Sequence, residues 1–390
     1  MHSIRRFNLM LAATVVMVGT VAVPAATATP TDSADLETTV ARVGTGRLIA
    51  LKSLGGGESF ADKTNARGDL TGRSRDATGK MQAVVWWHGQ RNPTRLRVNR
   101  ATPNAISDHG IIAGQVDRKG GGLFLWNKGK STYRWDPANA DLQATGVNDR
   151  GEVVGTAYFE NAGSKAFRWQ RGRLTWLPVP KAARSQALGV NNRGQTIGVV
   201  IPRGSDYGQA VLWQRGRMTR LGTLGGAYSA PIAINERGQV AGNSAIKGSS
   251  SDHPFLWQRG RMTDLLSNTT ATGGRVNALS DSGMMTGSAT WADGYNRPVL
   301  WKRGRMIDIG FGTHHGIGSV VNDRGDVGGV SWAPSTESPG VPFRWHNGKT
   351  TLFPEPAADM WVGVVGIAPR GKVTVLQEDI QRGLRIFRSA

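Results

Sequence analysis

Apolar residues along this chain fall in short runs that alternate with polar ones, and turn residues cut each run after a few positions. Between Ala187 and Trp213 the segments ALGVN, QTIGVV and QAVLW are separated by Asn-Arg-Gly and by Pro-Arg-Gly-Ser-Asp. Such runs, bounded by Gly, Pro, Asn and Asp, predict strands joined by tight turns. Beyond the first 28 residues no segment carries a 3.6-residue apolar period, so almost no helix is predicted.

The pattern repeats. Tryptophans stand at Trp86, Trp126, Trp169, Trp213, Trp257, Trp301 and Trp345, spaced 40, 43, 44, 44, 44 and 44 residues apart. Upstream of each lies a turn ending in Gly68, Gly110, Gly151, Gly194, Gly238, Gly283 or Gly325, as in GVNDRGEVVG and AINERGQVAG. Downstream lies another, as in WQRGRLTWL, WQRGRMTRL and WKRGRMIDI. Each unit therefore reads strand, tight turn, strand, longer loop, strand, tight turn, strand. A period of about 44 residues is that of a propeller blade, and a four-stranded meander buries both its faces only when copies pack around an axis. A Trp recurring on the third strand is a blade-packing residue on this reading.

The two ends set the count. GRLIALKSLGG, from Gly46 to Gly56, matches the last strand and exit of a unit, as GRMTRLGTLGG does from Gly216 to Gly226. The tail has its opening turn at Gly371 and an aromatic strand at Phe387, but stops before a fourth strand. The fold expected is all-β, a propeller of eight four-stranded blades over 39–390 with the N-terminal strand completing the last blade and removing two open sheet edges. Seven blades is the alternative if the tail packs irregularly.

The Asn-x-x-Gly turn, the Val-x-Gly strand, the aromatic-x-Trp strand and the Leu221 to Gly226 exit together resemble the bacterial extracellular HAF-repeat family, across essentially the whole chain after residue 28. The tripeptide behind the name is eroded: Lys165-Ala166-Phe167 keeps Ala-Phe, and His253-Pro254-Phe255 keeps His and Phe. The resemblance implies a secreted β-sheet repeat protein and carries no defined activity or ligand.

The first 28 residues have the parts of a secretory signal: Arg5 and Arg6, an apolar run from Leu9 to Val23, and Ala26-Thr27-Ala28 before the expected cut. Arg5-Arg6-Phe7 partly matches a twin-arginine signal, but its neighbours fit the ordinary secretory route better. The apolar run is too short to span a bilayer, and no later segment stays uncharged long enough to do so. Residues 29–38 are a short linker on this reading. There is no cysteine, hence neither a disulfide framework nor a lipid-bearing cysteine. The chain carries 48 Lys and Arg against 28 Asp and Glu. Loss of Arg5 and Arg6 leaves 46 minus 28, or +18, which favours polyanionic surroundings. A secreted, wall-associated monomer is expected.

In a meander the first and third turns emerge on one face, and the second loop and the exit on the other. The first of these faces is basic. Its outer turns carry Arg171, Arg173, Arg215, Arg217, Arg259, Arg261, Arg303 and Arg305, with Lys128 and Lys130, and its inner turns carry Arg150, Arg193, Arg237 and Arg324. This ring is a candidate site for an anionic cell-wall polymer or another extracellular polyanion. Its competing role is to keep outer hairpin edges soluble and unpaired.

The opposite face carries Tyr158, Phe159, Tyr207, Trp291, Tyr295 and Trp332 on second loops, and Tyr228, His314 and His315 on exits. Aromatic rings beside polar groups offer a stacking surface to a carbohydrate or protein ligand. The same rings can simply pack between loops.

Nothing points to catalysis. The only adjacent His pair is His314-His315, no Gly-x-Ser-x-Gly elbow is present, and no loop clusters carboxylates for calcium around Asp206, Asp252 or Asp293. Asp149, Asp281 and Asp323 recur at one turn and read as local turn-formers. No cofactor is expected. The function that emerges is a binding platform, with a structural or adhesive envelope protein as one alternative and a hydrolase or lyase without recognisable motifs as another.

Overall fold

A computed structural model describes residues 44–390 apart from 118–120, 136–139, 161–162, 182, 250, 311–313, 334–339, 355–359 and 380–382. The signal peptide expected over 1–28 and the linker over 29–38 lie outside the described residues. Among those described there is no helix, and the strands form eight sheets, each built on a four-stranded antiparallel blade, arranged as a β-propeller. Blades 1 to 7 span 55–95, 101–134, 141–176, 184–220, 225–264, 273–308 and 315–352, and blade 8 takes 360–389 together with Leu48–Ala50. The eight-blade expectation holds over the seven-blade one.

Blade 4 shows the repeat. Its strands are Arg184–Val190, Thr196–Ile201, Gln209–Gln214 and Arg217–Arg220, running outward in that order. The first strand shifts register between Ala187 and Gly189, and every other innermost strand carries a bulge at the same place. The bulge brings its own carbonyl against the second strand, which explains the Val-x-Gly pattern. A Cβ on Gly155 would stand 2.0 Å from the Gln143 carbonyl oxygen, and one on Gly287 would stand 1.9 Å from that of Arg275. Seven blades keep glycine at this position, and blade 8, with Val375 opposite Val364, is the exception.

The core lies between blades. Trp86, Trp126, Trp169, Trp213, Trp257 and Trp301 are buried on their third strands, as are Phe124, Phe167, Phe255 and Phe343 two residues before the tryptophan register position. In blade 8 Phe387 falls at the Phe position and Ser389 takes the tryptophan's place, its hydroxyl accepting from the Val373 amide at 3.1 Å.

Closure is double. Leu48–Ala50 pairs antiparallel with the third strand of blade 8, Leu48 opposite Ser389, as the two ends of the sequence predict. Gly44–Thr45 first runs parallel to Lys349–Leu352 at the edge of blade 7, a pairing that two residues of sequence could not announce. The chain thus enters on blade 7 and crosses to blade 8.

Candidate functional site

The first turn of each blade rings the axis. In blade 3 it is Asn148-Asp149-Arg150-Gly151, closed by the Gly151 amide on the Asn148 carbonyl at 3.0 Å, with Gly151 in the left-handed region. The Asn148 carboxamide oxygen accepts from the Arg150 and Glu152 amides, an Asx-type arrangement that fixes the turn. Its NH2 group donates to the Glu152 carboxylate and, at 3.0 Å, to the Asn191 carbonyl of blade 4. Asn65, Asn191, Asn235 and Asn322 repeat the reach to the next blade, onto the carbonyls of Ser107, Asn235, Ser280 and Ala368.

The residue after each Asn forms a second set of links. The carboxylate of Asp108 accepts from the Ala66 amide of blade 1 at 2.8 Å, and that of Asp149 from the His109 amide of blade 2 at 2.7 Å. Asn192 accepts from Asp149, Glu236 from Asn192, Asp281 from Glu236, and Asp323 from Ser282. Asp149, Asp281 and Asp323 are therefore not local turn-formers, as the sequence suggested. Each accepts from the turn of the preceding blade, so five acids and Asn192 form a belt across six seams. The belt stops where blade 8 offers Pro369, which has no N–H, and blade 1 offers Ala66, which has no carboxylate.

These carboxylates rim a cavity of about 470 Å3 in the mouth of the central channel, over a floor of Ile106, Val147, Val190, Ile234, Leu279 and Ile367. Burial raises the Asp108 carboxyl, against the Ala66 amide and Arg67, and the charges of Asp149 and Asp281 add to the rise. Burial likewise raises Glu236, opposed by the Asn192 amide and reinforced by Asp281, Asp149 and Asp108. At Asp149 burial also works upward, but hydrogen bonds from His109, Ser107 and Asn192 outweigh it and hold the carboxyl low. Among the described residues no group of three or more His, Asp or Glu is placed to hold a metal ion. The acidic mouth shares its face with the arginine turns, since first and third turns emerge together.

All eight predicted arginines of those third turns are exposed, and among the described residues none takes part in a salt bridge. Strands pair Gln170 with Arg173, Gln214 with Arg217, Gln258 with Arg261 and Lys302 with Arg305. Only two residues are left for each loop: Arg171-Gly172, Arg215-Gly216, Arg259-Gly260 and Arg303-Gly304. Both members have positive φ, with the arginines at 50°, 50°, 49° and 51°. This is the type I′ hairpin turn, whose first position favours Asn, Asp or Gly. Blade 7 has Asn347-Gly348 there, with Asn347 at 45°. An arginine or lysine in the left-handed region costs about 1 kcal/mol. Blades 3 to 6 with arginine, and blade 2 with Lys128 at 47°, therefore hold a cation where the turn itself favours Asn, Asp or Gly.

The inner-turn arginines divide. Arg150 pairs with buried Glu152 at 3.0 Å, Arg67 with buried Asp69 at 3.1 Å, and Arg324 lies 4.0 Å from buried Asp326. In blades 4 and 5 the acid is replaced by Gln195 and Gln239, which donate instead to Gln214 and Gln258. Arg193 and Arg237 are exposed there with no acid partner among the described residues.

On the opposite face the predicted aromatic residues separate into groups. Trp291, Tyr295, His315 and Trp332 come together: the His315 ring lies 5.2 Å from Tyr295 and 6.1 Å from Trp332, and Arg297 stands 5.0 Å over Trp291. All four are half-buried; Trp291 packs against the core between blades 5 and 6, and Trp332 against that between blades 7 and 8. His315 Nδ1 accepts from the Asn296 amide, while its neighbour His314 is exposed. Tyr207, 56% exposed, stacks on Tyr228 with the rings 6.3 Å apart. The Tyr228 hydroxyl donates to Asp252, and burial together with that carboxylate pushes its pKa up to about 12. Asp252 also takes Arg275, and Asp293 takes Arg297. Tyr158 stands apart, opposite Asp141 on its sheet, with burial and the Asp141 charge raising its phenol.

No protein-family model matches this chain, and no curated protein matches it. Among solved structures, one from a study of two prolyl endopeptidases is similar over 87% of this chain and 56% of its own, at 11% identity and a TM-score of 0.52. This chain thus spans just over half the length of that one. The β-propeller domain of the Trilobed protease from Pyrococcus furiosus matches over 76% of this chain and 97% of its own, at 11% identity and 0.48. The acylaminoacyl peptidase of Pyrococcus horikoshii matches over 82% and 57%, at 12% identity and 0.48. At these identities the likeness shows the fold alone, a β-propeller.

Proposed function

We propose that this protein is an extracellular binding platform that captures a polyanion on its arginine-bearing face. The observation that carries the reading is the set of four Arg-Gly turns. If the third turns needed only to close a hairpin and keep its edge soluble, Asn-Gly would do so with less strain, as at Asn347-Gly348 in blade 7. A guanidinium held out from each turn, exposed and without an acid partner among the described residues, is a fork suited to phosphate, sulfate or carboxylate oxygens. The excess of cations over the whole chain adds a long-range pull toward such partners.

The test is titration of the purified protein with inorganic polyphosphate at a series of salt concentrations. Binding should weaken linearly on a double-logarithmic plot, by about 0.7 to 0.9 per phosphate contact. Replacing Arg171, Arg215, Arg259 and Arg303 together by Asn should weaken it while leaving the fold intact. Absence of binding at low salt, or binding indifferent to both salt and the four replacements, would overturn the proposal.

A further inference from the structure

The arginine turns are not spread evenly. Blades 3, 4, 5 and 6 are consecutive, and each carries Arg-Gly-Arg at its third turn. Blade 2 has Lys128-Gly129-Lys130 and blade 7 has Asn347-Gly348-Lys349. In blade 1 the two-residue loop is replaced by a longer one between Met81–Trp86 and Thr94–Arg95, and blade 8 completes itself with the N-terminal strand. The inner arginines with no acid partner among the described residues, Arg193 and Arg237, lie in blades 4 and 5, the middle of the same run. There Gln195 and Gln239 stand where blades 1, 3 and 7 place the buried acids that engage or approach their inner arginines. Two independent features, the outer turns and the acid-to-glutamine exchange, therefore mark one half of the ring.

The axis repels what this half attracts. Asp108, Asp149, Glu236, Asp281 and Asp323 rim the channel mouth on the same face, and the charges of Asp281, Asp149 and Asp108 add to the raised carboxyls of Asp108 and Glu236. An anionic chain is thus kept away from the centre and held to the periphery.

From this placement, and resting on the polyanion reading above, we propose that the ligand is a flexible linear chain of phosphates lying along an arc over blades 3 to 6. Its contacts are the outer arginine pairs, with Arg193 and Arg237 gripping it from the inner side. Arginine suits this better than lysine because its planar fork meets two phosphate oxygens at once. The arc covers half of an eight-blade ring. A DNA duplex, stiff over about 150 base pairs, stays straight on that scale and meets only neighbouring turns. A phosphodiester or phosphoanhydride chain bends at every unit and follows the curve.

The experiment compares two variants that each remove four exposed cations. One carries Arg193→Gln, Arg217→Gln, Arg237→Gln and Arg261→Gln. The other carries Lys128→Gln, Lys130→Gln, Lys349→Gln and Arg370→Gln. Each is titrated with inorganic polyphosphate, and wild type also with a 20-base-pair DNA duplex at equal phosphate concentration, all over a range of salt. The first variant should lose about tenfold or more in affinity and about two units or more of salt slope, the second less than about threefold. Duplex should bind wild type at least about tenfold more weakly than polyphosphate. Equal losses in the two variants, or duplex binding as tightly as polyphosphate, would overturn the arc while leaving the proposed function standing. No binding of polyphosphate to wild type would overturn both.

Discussion

The guanidinium of Arg388 donates to the carbonyl oxygen of Gly68 at 2.9 Å, joining the end of the chain to the first turn of blade 1. It also donates to Trp86, Trp87 and Gln90 carbonyls, and it is only 8% exposed. Burial lowers its pKa, with the charge of Asp69 working the other way. This contact lies at the one seam where the acidic belt has neither donor nor acceptor. It is there that the side chain of Arg388 supplies both fit and charge.

Arg388→Ala should remove a donor shared by four carbonyls, of which Trp87 keeps the Gln90 amide, and destabilise the protein by about 2 to 4 kcal/mol. Arg388→Lys should recover part of that loss, since an ammonium reaches fewer of the four. Urea unfolding of the three forms measures it. If the Ala variant unfolds at the wild-type midpoint, the seam is held elsewhere.

The belt itself predicts a contrast at Asp281, whose carboxylate accepts from the Glu236 amide at 2.9 Å. Asp281→Ala should cost about 1 to 2 kcal/mol and Asp281→Asn, which keeps an acceptor, well under half of that. Glu236 adds a dependence on pH because its carboxyl is raised by burial. A raised carboxyl costs stability above its folded pKa and gives it back as pH falls and the proton binds. Glu236→Gln should therefore widen its advantage over wild type toward neutral pH and lose it in the acid range. An advantage that grows on acidification would show the wrong sign.

Much of this molecule was legible because its signals are local. Period-two runs gave the strands, Arg-Gly and Asn-x-x-Gly gave the turns, and the mismatch between the two ends gave eight blades and the Leu48–Ala50 closure. The belt was not legible, because an Asp beside an Asn turn has a short-range use that fits equally well. Only geometry shows that Asp149 accepts from His109, forty residues earlier. A signal did exist: if the first strand is innermost, its turn residues form a ring, and the acids of that column must face the axis. The aromatic residues divided for a different reason. His315, Trp291 and Trp332 carry the same letters whether they pack or stack a ligand, and burial alone distinguishes Tyr207 from them.

Asp62 sits at the bulge of blade 1 with one carboxylate oxygen buried without a hydrogen bond among the described residues and Arg73 Nε 3.8 Å away. Burial raises its pKa to about 7, against the pull of Arg73 and Lys63. Between about pH 4 and 7 the folded chain therefore holds a proton that the unfolded chain releases. Stability from this group rises as pH falls through 7 and is lost above it. Asp62→Asn should flatten that dependence and gain about 1 to 3 kcal/mol at pH 8, reduced because Lys63 loses its counter-charge. Thermal unfolding from pH 5 to 8 checks it, and a wild-type profile flat across that window would reject the assignment.

Two tryptophans at one register position should respond differently to the same change. The Trp213 indole N–H donates to the Pro178 carbonyl at 2.7 Å, whereas that of Trp301, 1% exposed, has no acceptor among the described residues. Replacing either by Ala opens a cavity costing about 3 to 5 kcal/mol. Replacement by Phe removes a satisfied hydrogen bond from the first and an unsatisfied donor from the second. Trp213→Phe should therefore cost about 1 to 2 kcal/mol more than Trp301→Phe. Equal losses would mean that the indole N–H groups do not matter to packing here.

The Arg-Gly turns make a prediction in which stability and binding move in opposite directions. Arg215 holds φ at 50° at the first position of its type I′ turn, is exposed, and has no acid partner among the described residues. Asn adopts that conformation more readily, so Arg215→Asn should stabilise the hairpin by about 0.5 to 1 kcal/mol. The fourfold replacement at Arg171, Arg215, Arg259 and Arg303 should raise the unfolding midpoint further, since the sites lie on separate blades and act nearly additively. If the arginines serve only to keep edges apart, the same variant should aggregate more and bind polyphosphate as before. If they serve a ligand, it should be the more stable protein and the weaker binder. Denaturant midpoints and polyphosphate titrations on one preparation separate the two outcomes, because a folding defect cannot produce a gain in midpoint.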